Sequence, residues 1–278
     1  MYEILATQML APKIFEFEVK APNVARKAKA GQFLIVRLHE RGERIPLTIA
    51  DYNRDKGSIT IVFQVVGKTT DELSTFKEGD KLADVVGPLG NPSELESGKR
   101  VVLVGGGVGI APIYPIARSL KEMKNEVISI IGSRSANLLF WEDRMADVSD
   151  RLIVCTDDGT KGRKGFVTNA LEDLINEGKR IDKVWAIGPM IMMKFVTSVT
   201  KKYNVPTIVS LNTIMVDGTG MCGACRCTID GKIKFACADG PEFDAFKVDF
   251  DELLKRAIRF KEEEKIAYER YLKQGRGV

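Results

Sequence analysis

The chain has 278 residues, which is enough for two ordinary domains and a short appendage. Apolar residues make up 44% and charged residues 29%, a balance typical of globular proteins rather than disordered ones. The formal net charge of +4 is too small, and too evenly spread, to indicate nucleic-acid binding. No secretory signal is apparent, and the most apolar window, residues 101–117, is interrupted by four Gly and two Pro. We therefore expect a cytoplasmic protein that binds neither nucleic acid nor membrane.

The first part of the chain, residues 1–97, has the pattern of a small antiparallel β-barrel. Apolar and polar residues alternate in several short runs, and Gly and Pro separate these runs at the spacing of barrel turns. The predicted strands cover residues 14–19, 33–38, 58–63 and 81–86. A single short helix is predicted over residues 69–76.

The pattern changes at residue 98, where continuous apolar strands begin to alternate with helices over residues 98–210. Strands that are apolar throughout are typical of a parallel sheet buried on both faces, so this part predicts a doubly wound α/β domain. The predicted strands cover residues 101–104, 127–131, 151–155, 183–187 and 207–210, and the predicted helices cover 111–124, 166–177 and a stretch that begins near residue 190.

The last part of the chain divides into two segments. Residues 211–242 are rich in Gly and Cys and show little regular pattern, whereas residues 243–278 form a charged helical extension. The periodicity predicts one helix over residues 249–273, and Asp249 or Asp251 is expected to cap it.

A glycine-rich turn joins the first strand of the α/β domain to its first helix. Four of the five residues from Gly105 to Gly109 are Gly, so the backbone can approach a pyrophosphate, and the following helix presents free N–H groups. The turn lacks the sixth-position Gly of a dinucleotide fingerprint and the Lys of a P-loop, and a tight turn without ligand is the alternative. The candidate nucleotide-binding residues are Gly106, Gly107, Val108, Gly109, Ala111 and Pro112.

The run Gly-Gly-Gly-x-Gly-x-Ala-Pro resembles the nucleotide loop of the ferredoxin–NADP reductase superfamily. The resemblance extends to the loop after the third strand of the domain and to the Cys-Gly-Pro site near the nicotinamide, where Ile187 replaces the Cys. Arg134 follows the second strand, where the adenosine ribose of this family lies. It suits a 2′-phosphate, a ribose or a surface carboxylate, so the choice between NAD(H) and NADP(H) stays open. The further candidate nucleotide-binding residues are Asp157, Asp158, Gly188, Pro189, Met190 and Arg134.

A second motif lies within the predicted barrel. Ile45-Pro46-Leu47-Thr48 resembles the flavin-holding Arg-Pro-Ile-Ser run of the electron-transfer subunit of dihydroorotate dehydrogenase, and Arg44 stands one place before the motif's Arg position. The resemblance implies that Thr48, the candidate catalytic residue, hydrogen-bonds the isoalloxazine ring of FAD, and that the helix after Gly67 meets the flavin phosphate. The candidate FAD-binding residues are Arg44, Ile45, Pro46, Leu47, Thr48, Val62, Phe63, Gln64, Gly67, Thr69 and Thr70.

Four of the five Cys fall between residues 222 and 237, and in a reducing compartment clustered cysteines indicate a metal site. Their spacing, C-x2-C-x-C-x9-C, fits the paired knuckles of structural zinc poorly. Plant-type [2Fe–2S] proteins have C-x4-C-x2-C, and Asp217 stands at the position of the first Cys. This arrangement resembles the small subunit of NADH-dependent reduced ferredoxin:NADP oxidoreductases, in which the Asp is a cluster ligand. The resemblance implies the ligands Asp217, Cys222, Cys225 and Cys237, with Cys227 as the alternative to Asp217.

The resemblance covers essentially the whole chain and implies an electron-transfer subunit. Electrons would pass between NAD(H), or NADP(H), FAD and the [2Fe–2S] cluster, and then to or from a larger subunit with a second flavin and [4Fe–4S] clusters. That larger subunit, in which electron bifurcation takes place, would connect the chain to ferredoxin. The alternatives are the electron-transfer subunit of a dihydroorotate dehydrogenase, a stand-alone NAD(P)H diaphorase, and a zinc-stabilised binding module without redox chemistry.

Overall fold

The first seven strands of the computed structural model, which describes residues 1–273, form one antiparallel sheet in the order β6-β1-β2-β5-β4-β3-β7. The strands are β1 (Tyr2–Ala11), β2 (Ile14–Lys20), β3 (Phe33–Arg37), β4 (Arg44–Asn53), β5 (Ser58–Gln64), β6 (Lys81–Leu82) and β7 (Asp84–Leu89). Only Ala83 separates β6 from β7, although these strands lie at opposite edges of the sheet. The sheet therefore curls into a nearly closed barrel, as predicted.

Two short helices accompany the barrel, α1 (Pro22–Lys27) and α2 (Lys68–Leu73). Apolar side chains from the strands fill its interior, with Phe17 and Phe63 in an edge-to-face contact at 5.1 Å. The pattern did not predict β1, α1 or β4, and it predicted one strand over 81–86 where the chain forms two. Pro46 lies in the half of β4 that pairs only with β3. A residue without an N–H is tolerated there because the other edge of β4 has no strand partner.

The α/β domain contains a parallel sheet in the order β11-β10-β9-β8-β12-β13. Its strands are β8 (Arg100–Gly106), β9 (Glu126–Ser133), β10 (Arg151–Thr156), β11 (Arg163–Lys164), β12 (Lys183–Ile187) and β13 (Thr207–Ser210), and its helices are α3 (Ile110–Glu122), α4 (Glu142–Asp147), α5 (Val167–Asn176) and α6 (Met190–Lys202). The chain moves outward from β8 in one direction and then restarts at β12 on the other side. This is the doubly wound topology predicted from the sequence, with its switch point between β8 and β12.

The Cys-rich segment forms a hairpin and then returns to the α/β sheet. The hairpin strands are β14 (Arg226–Ile229) and β15 (Lys232–Phe235), neither of which was predicted, and β16 (Glu242–Asp244) pairs antiparallel with β13. The predicted boundary at residue 242 falls at the start of β16, which belongs to the sheet of the α/β domain. The Cys-rich residues 211–242, called the cluster segment below, are therefore joined directly to that domain. The division into residues 1–97, 98–210, 211–242 and 243–278 stays a prediction.

The C-terminal extension contains two helices, α7 (Phe250–Ala257) and α8 (Lys261–Lys273), where the periodicity predicted one. Asp249 caps α7 by accepting a hydrogen bond from the Glu252 amide at 2.9 Å. Of the two residues predicted as the cap, Asp249 rather than Asp251 therefore has this role. The break lets the helices contact different domains, because α7 packs on α6 and β14 whereas α8 reaches α2 of the barrel. Tyr271 is the buried residue of α8. Within residues 1–273, no helix combines the length and apolar character needed to cross a bilayer.

Candidate functional site

The glycine turn lies at the switch point of the parallel sheet, where β8 leads through a 3₁₀ turn, Gly107–Gly109, into α3. A Cβ on Gly109 would collide with the carbonyl oxygen of Ile187 and come within 2.7 Å of the Cα of Gly188. Gly107 has a φ of +55°, and no atom lies within 4 Å of the point where its Cβ would stand. Gly109 is therefore needed for close packing of two loops, whereas Gly107 faces open space at the start of α3, where an anion is favoured.

The structure brings the two predicted nucleotide loops of β8 and β12 together. A Cβ on Gly188 would lie 3.0 Å from the carbonyl oxygen of Gly106. Met190 begins α6 with its side chain buried, and Ala111 is fully buried in the first turn of α3. Pro112 also lies in that first turn, where its missing N–H has no intrahelical acceptor.

The other predicted nucleotide residues lie at the carboxyl ends of the neighbouring strands β9 and β10. The Asp158 amide donates to the carbonyl oxygen of Arg134 at 3.2 Å, and the Asp157 amide donates to that of Ser133 at 3.1 Å, so the two loops are joined. The Arg134 side chain is exposed. Hydrogen bonds from the side chain and amide of Thr160 lower the pKa of Asp158, whose carboxylate is thereby engaged in its own turn.

The predicted flavin motif lies on β4, opposite the buried residues of β3. Residues 44–48 are all partly exposed, although β4 is an interior strand of the sheet, and Thr48 pairs with Phe33. The open edge beside Pro46 and the half-covered strand form a surface that fits a flat, partly buried ring. The residues present therefore suit a flavin, and Thr48 offers it a hydroxyl.

The remaining predicted flavin residues on β5 differ in whether their side chains are available to a cofactor. The Phe63 side chain faces the barrel core, and Val62 belongs to the buried cluster that contains Ile110 and Ala111 of the nucleotide domain, so these two residues offer a cofactor only their backbone. Gln64 is exposed at the end of β5.

The hydroxyls of the short helix after Gly67 are already engaged. The Thr70 hydroxyl accepts hydrogen bonds from the Val66 and Gly67 amides at 3.0 and 3.1 Å, and Thr69 bonds Glu43. The groups left to meet a phosphate are the amides of the first turn of α2, which have no intrahelical acceptor.

Asp217 organises the loop that precedes the cysteines. Its Oδ1 accepts a hydrogen bond from the Thr219 amide at 2.8 Å, and its Oδ2 accepts from the amides of Cys222 and Met221 at 2.7 and 3.1 Å. These bonds, that of Thr219 first, lower the pKa of the Asp217 carboxyl. Gly218 and Gly220 have φ values of +79° and +89°, the left-handed conformation that makes this tight loop accessible to glycine.

Two of the predicted cluster ligands are in contact, and a third lies beside the Asp. The Sγ atoms of Cys225 and Cys237 are 3.2 Å apart and buried, while Cys222, whose amide bonds Asp217, is exposed. The donors thus form two pairs, which suits a cluster in which two irons share four protein ligands. Burial raises the pKa of Cys237 to about 12, so loading the site with metal must release its proton.

Cys227, the alternative ligand, has a different environment. Its Sγ lies 3.5 Å from the carbonyl oxygen of Lys234, its partner residue across the β14–β15 hairpin, and its side chain is fully buried. Burial raises its pKa to about 12. In the part of the chain that the structure describes, no three His, Cys, Asp or Glu side chains form a group that would hold a single metal ion.

The cluster segment lies directly against β4, which carries the predicted flavin motif and is called the flavin strand below. No sequence pattern indicated this contact. Arg44 Nε donates a hydrogen bond to the carbonyl oxygen of Val216 at 2.8 Å, across 172 residues of chain. A Cβ on Gly218 would lie 2.7 Å from Leu89 and 2.9 Å from Ile35, so this glycine packs onto β7 and β3 of the barrel. Arg44, a predicted FAD-binding residue, is thus directed to the cluster segment.

Comparisons with known proteins agree with this arrangement. Residues 103–198 match the oxidoreductase NAD-binding domain, and residues 212–249 match the iron-sulfur cluster binding domain of dihydroorotate dehydrogenase B. The fold is similar to a chain in the structure of the NADH-dependent reduced ferredoxin-NADP oxidoreductase, with a TM-score of 0.93 and 53% identity over 98% of each chain. A cytochrome P450 reductase from Amycolatopsis, 24% identical over 72% of this chain and 65% of that chain with a TM-score of 0.64, shares the fold.

Two curated relatives extend over nearly the whole chain. The dihydroorotate dehydrogenase B electron transfer subunit homolog of Thermotoga maritima is 55% identical over 98% of this chain and 95% of its own length. The corresponding electron transfer subunit of Desulforamulus reducens is 34% identical over 88% of this chain and 96% of its own length. These matches confirm the predicted fold class and a cofactor set of FAD, NAD(H) and [2Fe–2S], and both relatives are named as subunits, which implies a larger catalytic partner. The chain belongs to the family of dihydroorotate dehydrogenase B electron transfer subunits and their homologues, which are NAD(H)-dependent oxidoreductase subunits of the ferredoxin–NADP reductase fold.

Proposed function

We propose that this chain is the small subunit of an NADH-dependent ferredoxin–NADP oxidoreductase, and that it carries electrons between NAD(H) and a larger subunit. The observation that carries the proposal is the contact of the cluster segment with the barrel, with β4 through Arg44 and Val216 and with β3 and β7 through Gly218. Electron transfer between two cofactors requires that their sites adjoin, and the strand predicted to hold the flavin touches the loop predicted to hold the cluster.

The chain's own residues would bind and orient three groups. Gly107 would let the backbone approach a pyrophosphate at the switch point of the sheet, while Gly106 and Gly109 let the turn pack against the chain after β12. Thr48 offers a hydroxyl to the flavin ring. When bound, the flavin exchanges a hydride with the nicotinamide and single electrons with the iron–sulfur cluster. No general base is required of the protein, which supplies position and electrostatic environment.

We propose Asp217, Cys222, Cys225 and Cys237 as the cluster ligands. The two pairs in which these donors lie support this set, and Cys227, directed toward the Lys234 carbonyl, is the weaker candidate. An Asp oxygen is a harder donor than a thiolate, so it changes the potential of the cluster relative to a four-Cys site.

The proposed partner is a larger subunit with a second flavin and [4Fe–4S] clusters, through which the chain is connected to ferredoxin. Support comes from the 53% identity and the TM-score of 0.93 to a chain of the ferredoxin-NADP oxidoreductase structure, over 98% of each chain. The cluster segment also exposes large apolar side chains, Met221 at 89% and Ile233 at 64%, that a partner would cover. Asp217 in place of Cys and Ile45 in place of Arg argue against the dihydroorotate dehydrogenase alternative.

The test is anaerobic native isolation of the chain, followed by mass spectrometry of what copurifies and by titration with NADH under visible and electron paramagnetic resonance (EPR) detection. We expect a large iron–sulfur flavoprotein, with NADH reducing both a flavin and a [2Fe–2S] signal. A dihydroorotate dehydrogenase catalytic subunit would overturn the partner, and a partner-free protein reduced by NADH would indicate a diaphorase. A colourless protein with stoichiometric zinc would overturn the redox function altogether.

A further inference from the structure

Asp217 is bracketed by two contacts with the flavin barrel. On one side, the Val216 carbonyl accepts a hydrogen bond from Arg44 Nε at 2.8 Å. On the other side, Gly218 packs against Ile35 and Leu89 so closely that no side chain fits. Ile35 is also the cross-strand partner of Pro46 in the flavin motif. Asp217, which stands at the position of a cluster Cys, is therefore flanked by one contact with β4 and one contact with β3 and β7.

Arg44 differs from the arginine beside it in how its charge is compensated. Its cross-strand partner Arg37 forms an ion pair with Asp84, at 2.6 Å from Nε to Oδ2, and donates to the Glu40 carbonyl. Among residues 1–273, no carboxylate forms an ion pair with Arg44, and its Nε donates to a carbonyl oxygen beside Asp217 instead. The Arg44 guanidinium thus donates to the main chain at the residue before Asp217.

We propose that Arg44 is a positioning residue that fixes the Asp217 end of the cluster loop against the flavin strand. This inference rests on the proposed function, and it assigns to Arg44 a different role from the FAD binding predicted for it. The planar guanidinium donates in a fixed direction, which an ammonium group does not. Its positive charge also favours the reduced, more negative state of a nearby cluster, so Arg44 acts on the potential as well as on the position.

The experiment compares Arg44→Ala, Arg44→Lys and the control Arg41→Ala in the natively isolated holoprotein. Arg41 is an exposed arginine three residues away, in the turn before β4. The readouts are FAD content, the EPR midpoint potential of the cluster, the single-turnover rate of cluster reduction after mixing with NADH, and hydrogen–deuterium exchange of residues 211–223. The exchange measurement is repeated on cofactor-free chain, because it reports docking of the loop without any electron transfer.

In Arg44→Ala we expect bound FAD to be retained, exchange over residues 211–223 to rise, and the potential to fall. We expect cluster reduction to slow about tenfold, because the fraction of molecules with a docked loop falls by the same factor. A tenfold change corresponds to about 1.4 kcal/mol. Arg44→Lys should keep the potential closer to wild type, because the charge is kept, but should still raise the exchange.

Two results would overturn the assignment. If Arg44→Ala behaves like Arg41→Ala in exchange and potential, the loop is not held by Arg44. If Arg44→Ala loses FAD while the cluster potential and the exchange stay unchanged, the residue binds the flavin phosphate. Failure of the proposed function itself gives a different outcome, in which NADH does not reduce the cluster of the wild-type protein.

Discussion

Glu242 Oε1 accepts a hydrogen bond from Ser93 Oγ at 2.6 Å. Its Oε2 accepts a second one from Trp185 Nε1 at 3.3 Å. Ser93 precedes the nucleotide domain and is bound through its amide to Ala30 of the barrel, Trp185 lies on β12, and Glu242 begins β16 at the end of the cluster segment. One buried carboxyl group therefore joins the three parts of the chain that are predicted to hold cofactors.

This junction predicts a pH dependence of stability. Burial raises the pKa of Glu242 above its ordinary value of 4.5, and the hydrogen bonds from Ser93 and Trp185 oppose the shift only in part. Because the folded state binds the proton more tightly than the unfolded chain, the stability that Glu242 contributes is complete below pH 4.5 and is lost as the pH rises through the raised pKa. Glutamine does not titrate, so the stability of Glu242→Gln should not show this loss with rising pH.

The measurement is the free energy of urea unfolding of both proteins at a series of pH values. We expect the free energy of unfolding of wild type, relative to that of Glu242→Gln, to decrease as the pH rises above about 4.5. Glu78→Gln, at an exposed carboxyl group elsewhere on the barrel, serves as the control and should follow wild type. Parallel curves for wild type and Glu242→Gln would show that the group does not titrate as the burial implies.

The glycine turn offers a matched pair of variants that separate packing from ligand binding. Gly109→Ala places a methyl group against the Ile187 carbonyl, and we expect it to destabilise the protein by about 1–3 kcal/mol or more, as overpacking does. Gly107→Ala meets no atom and should cost about 1–2 kcal/mol from its positive φ alone. Because its methyl group enters the open space over α3, Gly107→Ala should also raise the KM for NADH.

Thermal unfolding and steady-state kinetics with NADH measure the two effects. If Gly107→Ala leaves the KM unchanged, the nucleotide does not lie over this turn.

The two environments of the cysteines predict different losses of iron. We expect Cys225→Ala and Cys237→Ala to lower iron content at least about tenfold, because each removes a ligand from the closest thiol pair. Cys227→Ala removes a buried sulfur that faces the Lys234 carbonyl, so it should keep the cluster. Iron analysis and the EPR spectrum of the reduced protein check both. Loss of the cluster in Cys227→Ala would make Cys227 the fourth ligand.

Asp217 has two roles that variants can separate. Asp217→Ala removes both the proposed ligand and the acceptor of three loop amides, so we expect reduced cluster content and a shifted potential. Asp217→Asn keeps one oxygen that can accept from the loop but removes the negative charge. If Asp217→Asn retains the wild-type iron content and potential, the residue caps the loop and does not bind iron. Asp217→Cys should instead retain the cluster with a lower potential, as a thiolate is the softer and more electron-donating ligand.

Local patterns were sufficient to predict much of this protein. The continuous apolar run of β8, the glycines that follow it and the spacing of Cys222, Cys225 and Cys237 lie within short stretches of chain. In each of them, backbone conformation or ligand geometry is set by near neighbours, so the barrel, the doubly wound domain and the cluster segment could be expected in their correct order.

Other features depend on how distant segments pack. The strand β4 was not predicted, and it tolerates Pro46 because one of its edges is left open there. Phe63 turns into the barrel core, and the predicted C-terminal helix breaks to reach two domains. The contacts of Arg44 with Val216 and of Glu242 with Ser93 join residues 172 and 149 positions apart. Such contacts depend on how the domains are oriented and packed against one another. The periodicity or spacing of residues within one segment does not contain that information.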